Sequence, residues 1–132
     1  VSKLFLPYDF DFDKLKRVFL EEIKYVKHNY YLDNYRYQKT LFILNKVDFI
    51  DFDNILLTES NELDSPISVL YYEYYKDISS VIEKISLNQN KIQCVLSNAS
   101  KINNTIKFGF AQKPTLWESP DNVDVMDVLQ FK

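Results

Sequence analysis

The sequence predicts an α/β fold, a short, mostly parallel sheet flanked by helices, and three observations predict it. Lys3 to Leu6, Ile67 to Leu70 and Ile92 to Leu96 are near-continuous apolar runs of strand length, the pattern of strands covered on both faces. The stretches between them carry apolar residues at helical spacing. The order strand, helix, strand from Ile67 to Leu96 is that of a right-handed βαβ unit in a parallel sheet.

Each element has a local reason. Lys3-Leu4-Phe5-Leu6 is a short strand stopped by Pro7, which has no N–H for a ladder. Leu15, Val18, Phe19, Ile23 and Val26 then fall on one helical face, with Asp11 or Asp13 as N-cap. Tyr37, Leu41 and Leu44 mark a second helix, entered through Asp33-Asn34. Ile55-Leu56-Leu57 is a small strand after the turn-like Asp51-Phe52-Asp53-Asn54. The clearest strand, Ile67 to Tyr75, is launched by Ser65-Pro66. A third helix follows, capped by Asp77, with Ile78, Val81, Ile82 and Ile85 on one stripe. Ile92 to Leu96 is the next strand. A loop-rich stretch precedes a last helix, where Ser119 caps and Pro120 suits the first helical position.

Composition narrows the function classes. At 132 residues, 46% apolar and 27% charged, the chain is long enough for one soluble globular domain over 1–132 and has no internal linker. No apolar run approaches the roughly 20 residues of a membrane span, and no signal peptide is expected. A net charge of −3 argues against nucleic acid, because the densest aromatic run, Tyr71-Tyr72-Glu73-Tyr74-Tyr75, carries a carboxylate instead of interleaved cations. The single Cys94 excludes a disulfide framework and fits the cytoplasm. The single Gly109 excludes a Walker loop or a GxGxxG turn, so any nucleotide must be held mainly from outside this chain.

No catalytic residue or metal ligand is expected within the chain. Asp9, Asp11 and Asp13 alternate like a calcium loop, but its sixth and twelfth positions are Lys14 and Leu20. Asp48, Asp51 and Asp53 are expected as turn residues. His28, the only histidine, stands where the first helix should end, where a cation favours the helix dipole. Cys94, between Gln93 and Val95, is expected as a packed core residue instead of an activated thiol.

Three stretches carry a family resemblance: Val1 to Pro7, Glu62 to Tyr75, and Phe108 to Trp117 followed by Val123-Asp-Val-Met126. In order and spacing they resemble the fatty acyl-CoA reductases related to the reductase of bacterial luminescence, in the aldehyde-dehydrogenase superfamily. The second stretch is similar to the superfamily pattern Glu-x-Phe-Gly-Pro, with Glu62 and Pro66 in place but Asp64 for Phe and Ser65 for Gly. Phe108-Gly109 is similar to the family's late Phe-Gly, on the substrate side of the catalytic domain.

The resemblance implies the C-terminal half of an aldehyde-dehydrogenase-like catalytic domain, whose nucleophilic cysteine lies a few residues upstream of Val1. It implies attack on a fatty acyl-CoA thioester, then hydride transfer from NADPH to release an aldehyde. Glu62 is the one residue here implied to contact the cofactor, which the missing N-terminal part would mainly bind. The expected partners are the remainder of its own chain, the acyl-CoA, and a second copy covering an open edge of the sheet. The chain alone is expected to be inactive. Two readings of another class stay open: a self-contained interaction domain, or a module binding an apolar ligand through the tyrosine-rich strand.

Overall fold

The computed structural model describes residues 2–22 and 29–113. The chain divides into two units, Val1–Ile78 and Ser79–Lys132. The first holds strands β1 (Lys3–Pro7), β2 (Ile50–Asp51), β3 (Leu56–Glu59) and β4 (Val69–Tyr75), and helices α1 (Phe12–Glu22) and α2 (Asn29–Leu44). Helix α3 (Ile78–Leu87) starts at the boundary. No helix among the described residues is long and apolar enough to cross a membrane.

The sheet has the order β1-β4-β3-β2 and is mostly parallel. β4 pairs with β1 from Lys3↔Tyr71 to Pro7↔Tyr75 and with β3 from Leu56↔Val69 to Glu59↔Tyr72, both in parallel. β2 adds an antiparallel edge through Ile50↔Leu57 and Asp51↔Leu56. Side chains alternate along each strand, so these registers put Leu4, Leu6, Leu57, Leu70 and Tyr72 on one face. Phe52, Leu57 and Leu70 form the buried cluster there, and Phe12, Leu15 and Phe19 of α1 pack against it. Leu56 and Val69, buried as well, alternate onto the opposite face.

Local chemistry explains the ends of the elements. The Asp11 carboxylate accepts hydrogen bonds from the N–H groups of Asp13 (3.0 Å) and Lys14 (3.3 Å), so Asp11 is the N-cap of α1. Helix α2 begins at Asn29, earlier than Asp33-Asn34, because no Gly or Pro interrupts 29–44. It ends in a Schellman turn: Lys46 has φ 55°, the Val47 N–H reaches the Phe42 carbonyl and the Lys46 N–H reaches that of Ile43. β3 and β4 run parallel although only residues 60–68 connect them, a shorter crossover than parallel pairs usually need. The brevity of β3 permits it, since the chain has to climb back only about 13 Å. Ser68, at φ 66°, turns the chain into β4 behind the Val69 N–H to Pro66 carbonyl bond.

The strand expected at Ile92 to Leu96 does not join the sheet. β4 is flanked by β1 and β3, and neither outer strand of the sheet, β1 or β2, takes it as a partner. After α3 the chain makes a 3-10 turn at Gln89–Lys91. Leu96 then forms a single parallel bridge with Ile106, through Ile106 N–H to the Val95 carbonyl and Ser97 N–H to the Ile106 carbonyl. Ile92 and Val95 are therefore half-buried and Cys94 is exposed, contrary to its expected place in a core. Leu6 and Val69 are buried, while Leu4 on the edge strand β1 is half-buried. The end of the first helix beyond Glu22, His28 and the expected last helix at Ser119-Pro120 lie outside the described residues.

Leu57, with no exposed surface, is the centre of the cluster. Leu57→Ala is expected to cost about 2–5 kcal/mol in urea unfolding. Ile43→Ala, at an exposed position on α2, is expected to stay within about 0.5 kcal/mol of wild type.

Candidate functional site

The turn that follows β3 carries Glu62 and is held at three points. The Ser60 N–H donates to the Tyr72 carbonyl at 3.1 Å, which extends the β3–β4 ladder by one bond. The Glu62 N–H donates to Ser60 Oγ at 3.1 Å, and Lys3 Nζ donates to the Ser60 carbonyl at 2.8 Å. The Glu62 carboxylate itself is exposed.

Lys3 is the unexpected member of this group. Its ammonium also meets Glu73 Oε2 at 2.5 Å, and the Lys3 side chain is only 5% exposed. It lies 5.3 Å from the centroid of the Phe5 ring. Lys3, Phe5 and Glu73 share one sheet face because β1 and β4 are in parallel register, with Phe5 opposite Glu73. The start of β1 is fixed beside β4 by the Tyr71 N–H, which donates to the Ser2 carbonyl at 3.0 Å. Nothing local signals this arrangement, since Lys3 and Glu73 stand 70 residues apart.

Where the chain enters β2 beside β3, an open recess of about 370 Å³ is lined by Asp48, Thr58, Glu59 and Tyr72, with Val47, Phe49 and Ile50 as its apolar wall. Thr58 Oγ1 donates to the Asp48 carbonyl at 2.7 Å. Burial raises the Tyr72 pKa, and the charges of Tyr74, Glu59 and Asp48 push it further in the same direction. Tyr72 therefore stays a neutral hydrogen-bonding group. The recess offers hydroxyls and carboxylates, and its lining holds neither Cys nor His.

A second polar cluster ties both helices of the first unit to β2. Tyr35 Oη donates to Asp51 Oδ1 at 2.7 Å, and Lys39 Nζ meets Asp51 Oδ2 at 2.6 Å. Lys16 Nζ from α1 donates to the Asp51 carbonyl at 3.3 Å, and the Asp53 N–H closes a small turn on Asp51 Oδ1 at 2.8 Å. Burial would raise the Asp51 pKa, but the hydrogen bonds from Lys39, Tyr35 and the Asp53 N–H, with the Lys39 charge, outweigh it and hold the carboxyl below its ordinary value. Burial and the bond to Asp51 raise Tyr35. Asp51 is thus more than a turn residue. It joins α1, α2 and the β2–β3 hairpin.

Among the described residues, no group of His, Cys, Asp and Glu could hold a metal ion. Cys94 lies in the second unit, in the loop after the 3-10 turn, and Phe108-Gly109 lies in that unit too. The Trp117 and Val123 to Met126 portions of the family-like stretches fall outside the described residues.

Two outcomes test these contacts. Lys3→Met removes the cation beside Glu73 and is expected to cost about 3 kcal/mol of unfolding free energy, whereas Lys3→Met combined with Glu73→Leu should recover most of that loss. Folding lowers the Asp51 pKa, so the stability its ionised form contributes is present above the ordinary 3.8 and lost as pH falls through the lower folded value. The stability gap between wild type and Asp51→Asn is therefore expected to be flat above about pH 5 and to close below 3.8, in urea titrations at fixed salt.

No protein-family profile matches the chain, and neither the curated proteins nor the solved structures hold a match. The geometry of the turn, the recess and the two polar clusters is therefore what any functional reading has to start from.

Proposed function

We propose that the chain is the C-terminal part of the catalytic domain of an acyl-CoA reductase in the aldehyde-dehydrogenase superfamily. The whole enzyme converts a fatty acyl-CoA to an aldehyde through a cysteine acyl-enzyme whose nucleophile lies upstream of β1. The cofactor is NADPH, held mainly by the N-terminal part, and it supplies the hydride. The partners are the remainder of the same chain, the acyl-CoA, and a second copy in a homo-oligomer. The same reading puts the protein in the cytoplasm, in keeping with the single Cys94.

One observation carries the reading: Lys3, near the start of β1, donates to the Ser60 carbonyl, two residues before Glu62. A nucleophile a few residues before β1 would then enter the site beside the turn that bears Glu62. A carboxylate that accepts hydrogen bonds from ribose hydroxyls must be accessible and carried on a fixed backbone. Glu62 is exposed, and its turn is bonded to β4, to Lys3 and to its own Ser60 hydroxyl. In this role Glu62 would hold a ribose of the cofactor, which would supply the hydride, and a reaction limited by alignment gains most from such positioning. The thiolate attacks the thioester carbon and the CoA thiol leaves, so the acyl-enzyme forms without any residue of this chain bonding covalently to substrate.

In the full-length protein, Glu62→Gln is expected to slow hydride transfer roughly tenfold, the cost of about one charge-assisted hydrogen bond. Acylation should be unchanged. Single-turnover measurements separate the two steps, CoA release reporting acylation and aldehyde formation reporting hydride transfer. An unchanged rate in both would return Glu62 to the status of a solvated loop carboxylate.

A further inference from the structure

The second unit is close to neutral as a whole, with six Lys against five Asp and Glu, but one segment of it is purely basic. The net charge of the whole sequence is −3, yet residues 91–113 contain Lys91, Lys101, Lys107 and Lys113 and neither Asp nor Glu. The fold gathers three of these lysines into one loop cluster. The Ile106 N–H bonds the Val95 carbonyl, and the Ser97 N–H bonds that of Ile106. The Phe108 N–H bonds Asn98 Oδ1 at 3.3 Å, which joins the 97–102 loop bearing Lys101 to the turn that follows. That turn closes twice, through Phe110 N–H to the Lys107 carbonyl (3.1 Å) and Lys113 N–H to the Phe110 carbonyl (2.9 Å).

At its tip stand two phenylalanines, Phe108 at 60% and Phe110 at 55% exposure. Gly109 between them has φ 85°, a conformation open to glycine and costly for other residues, and nothing lies within 4 Å of where a Cβ would be. Lys113 Nζ sits 5.5 Å from the centroid of the Phe110 ring. Cations and exposed aromatic rings thus occupy the same turn.

We propose that this turn is a contact site for the surface of an anionic phospholipid bilayer. Water solvates the lysines well and the two rings badly, whereas the headgroup boundary satisfies both. Aromatic rings sink to the acyl boundary while lysines meet anionic headgroups. Single-stranded nucleic acid is the competing anionic partner, but its binding uses a basic groove that tracks several nucleotides, and here two rings share one short turn. The inference stands independently of the reductase reading. If both hold, the site brings the enzyme to the surface where long acyl chains partition.

The test is co-sedimentation of the full-length protein with vesicles of phosphatidylcholine alone or mixed with phosphatidylglycerol. Binding is expected only to the anionic vesicles and should weaken as salt rises. Phe108→Ser with Phe110→Ser should lower partitioning at least tenfold. Lys107→Gln and Lys113→Gln should each lower it about fivefold. The substituted side chains are all exposed, and circular dichroism should match wild type; the lysine pair provides a second arm should the phenylalanine variant lose its fold. Equal binding to neutral vesicles, no binding to either, or anionic binding unchanged in the variants would overturn the proposal. So would tighter binding to a single-stranded oligonucleotide with the same dependence on these residues, which would assign the turn to nucleic acid.

Discussion

The double pairing of β4 is the constraint on which the first unit depends. Its first half pairs with β3, over Val69–Tyr72, and its second half with β1, over Tyr71–Tyr75, so one strand joins both neighbours. Its side chains then define both faces. Leu70 and Tyr72 meet the cluster that α1 closes, while Glu73 on the opposite face meets the Lys3 ammonium. Aromatic contacts extend the first face outward: Tyr72 lies edge-on to both Phe12 and Tyr74, and Tyr74 stacks on Tyr8 at 5.2 Å between ring centroids. The connection from β1 to α1 is thereby fastened to β4 by rings at Tyr8 and Phe12 as well as by the backbone ladder. Such pairs contribute beyond the area they bury, each by about 0.5–1.5 kcal/mol.

Much of this was legible in the sequence where the signal was local. β1 ends at Pro7 and α1 is capped by Asp11, both as residue chemistry requires. β4 appears within the expected Ile67 to Tyr75, shortened to Val69 because the Val69 N–H is committed to the Pro66 carbonyl in the turn. The failures share a cause, which is that partners decide. Phe52, placed in a turn by its neighbours Asp51 and Asp53, is 1% exposed because the hairpin folds its ring under α1, where Phe19 lies 5.9 Å away. Ile92 to Leu96 has the composition of a strand, yet its backbone pairs locally, with Ile106, instead of with the sheet. The early start of α2 follows from the absence of a breaker, which outweighed the turn-forming character of Asp33-Asn34.

The site was less legible than the fold. Glu62 was singled out by a resemblance alone, and its own residue chemistry, an exposed carboxylate in a turn, gave no separate signal. Lys3 could not have been found, because the first residues of a strand give no hint of a carboxylate 70 positions later. Asp51 could have been half-read: its Asx turn to Asp53 is local, but its bonds to Tyr35 and Lys39 depend on where α2 packs. Spacing within the helix did put Tyr35 and Lys39 four residues apart on one face, the only sequence trace of that cluster.

A buried ion pair at Lys3 and Glu73 is a costly way to fasten two strands, since desolvating both charges can outweigh their attraction. An apolar pair of the same size would hold β1 to β4 at least as tightly. What the charges add is register. Sliding β1 by one residue would move Lys3 to the face on which β3 and β4 present Leu57, Leu70 and Tyr72, away from Glu73. The parallel pairing of two apolar strands has little else to forbid that slip, because the near-continuous runs Leu4-Phe5-Leu6 and Val69-Leu70 are apolar on both faces. The same ammonium holds the Ser60 carbonyl, so the register of β1 and the position of the turn bearing Glu62 are set by one group. A slip that misplaced the start of β1 would therefore carry the Lys3 ammonium away from Glu73 and from the turn that bears Glu62 at once.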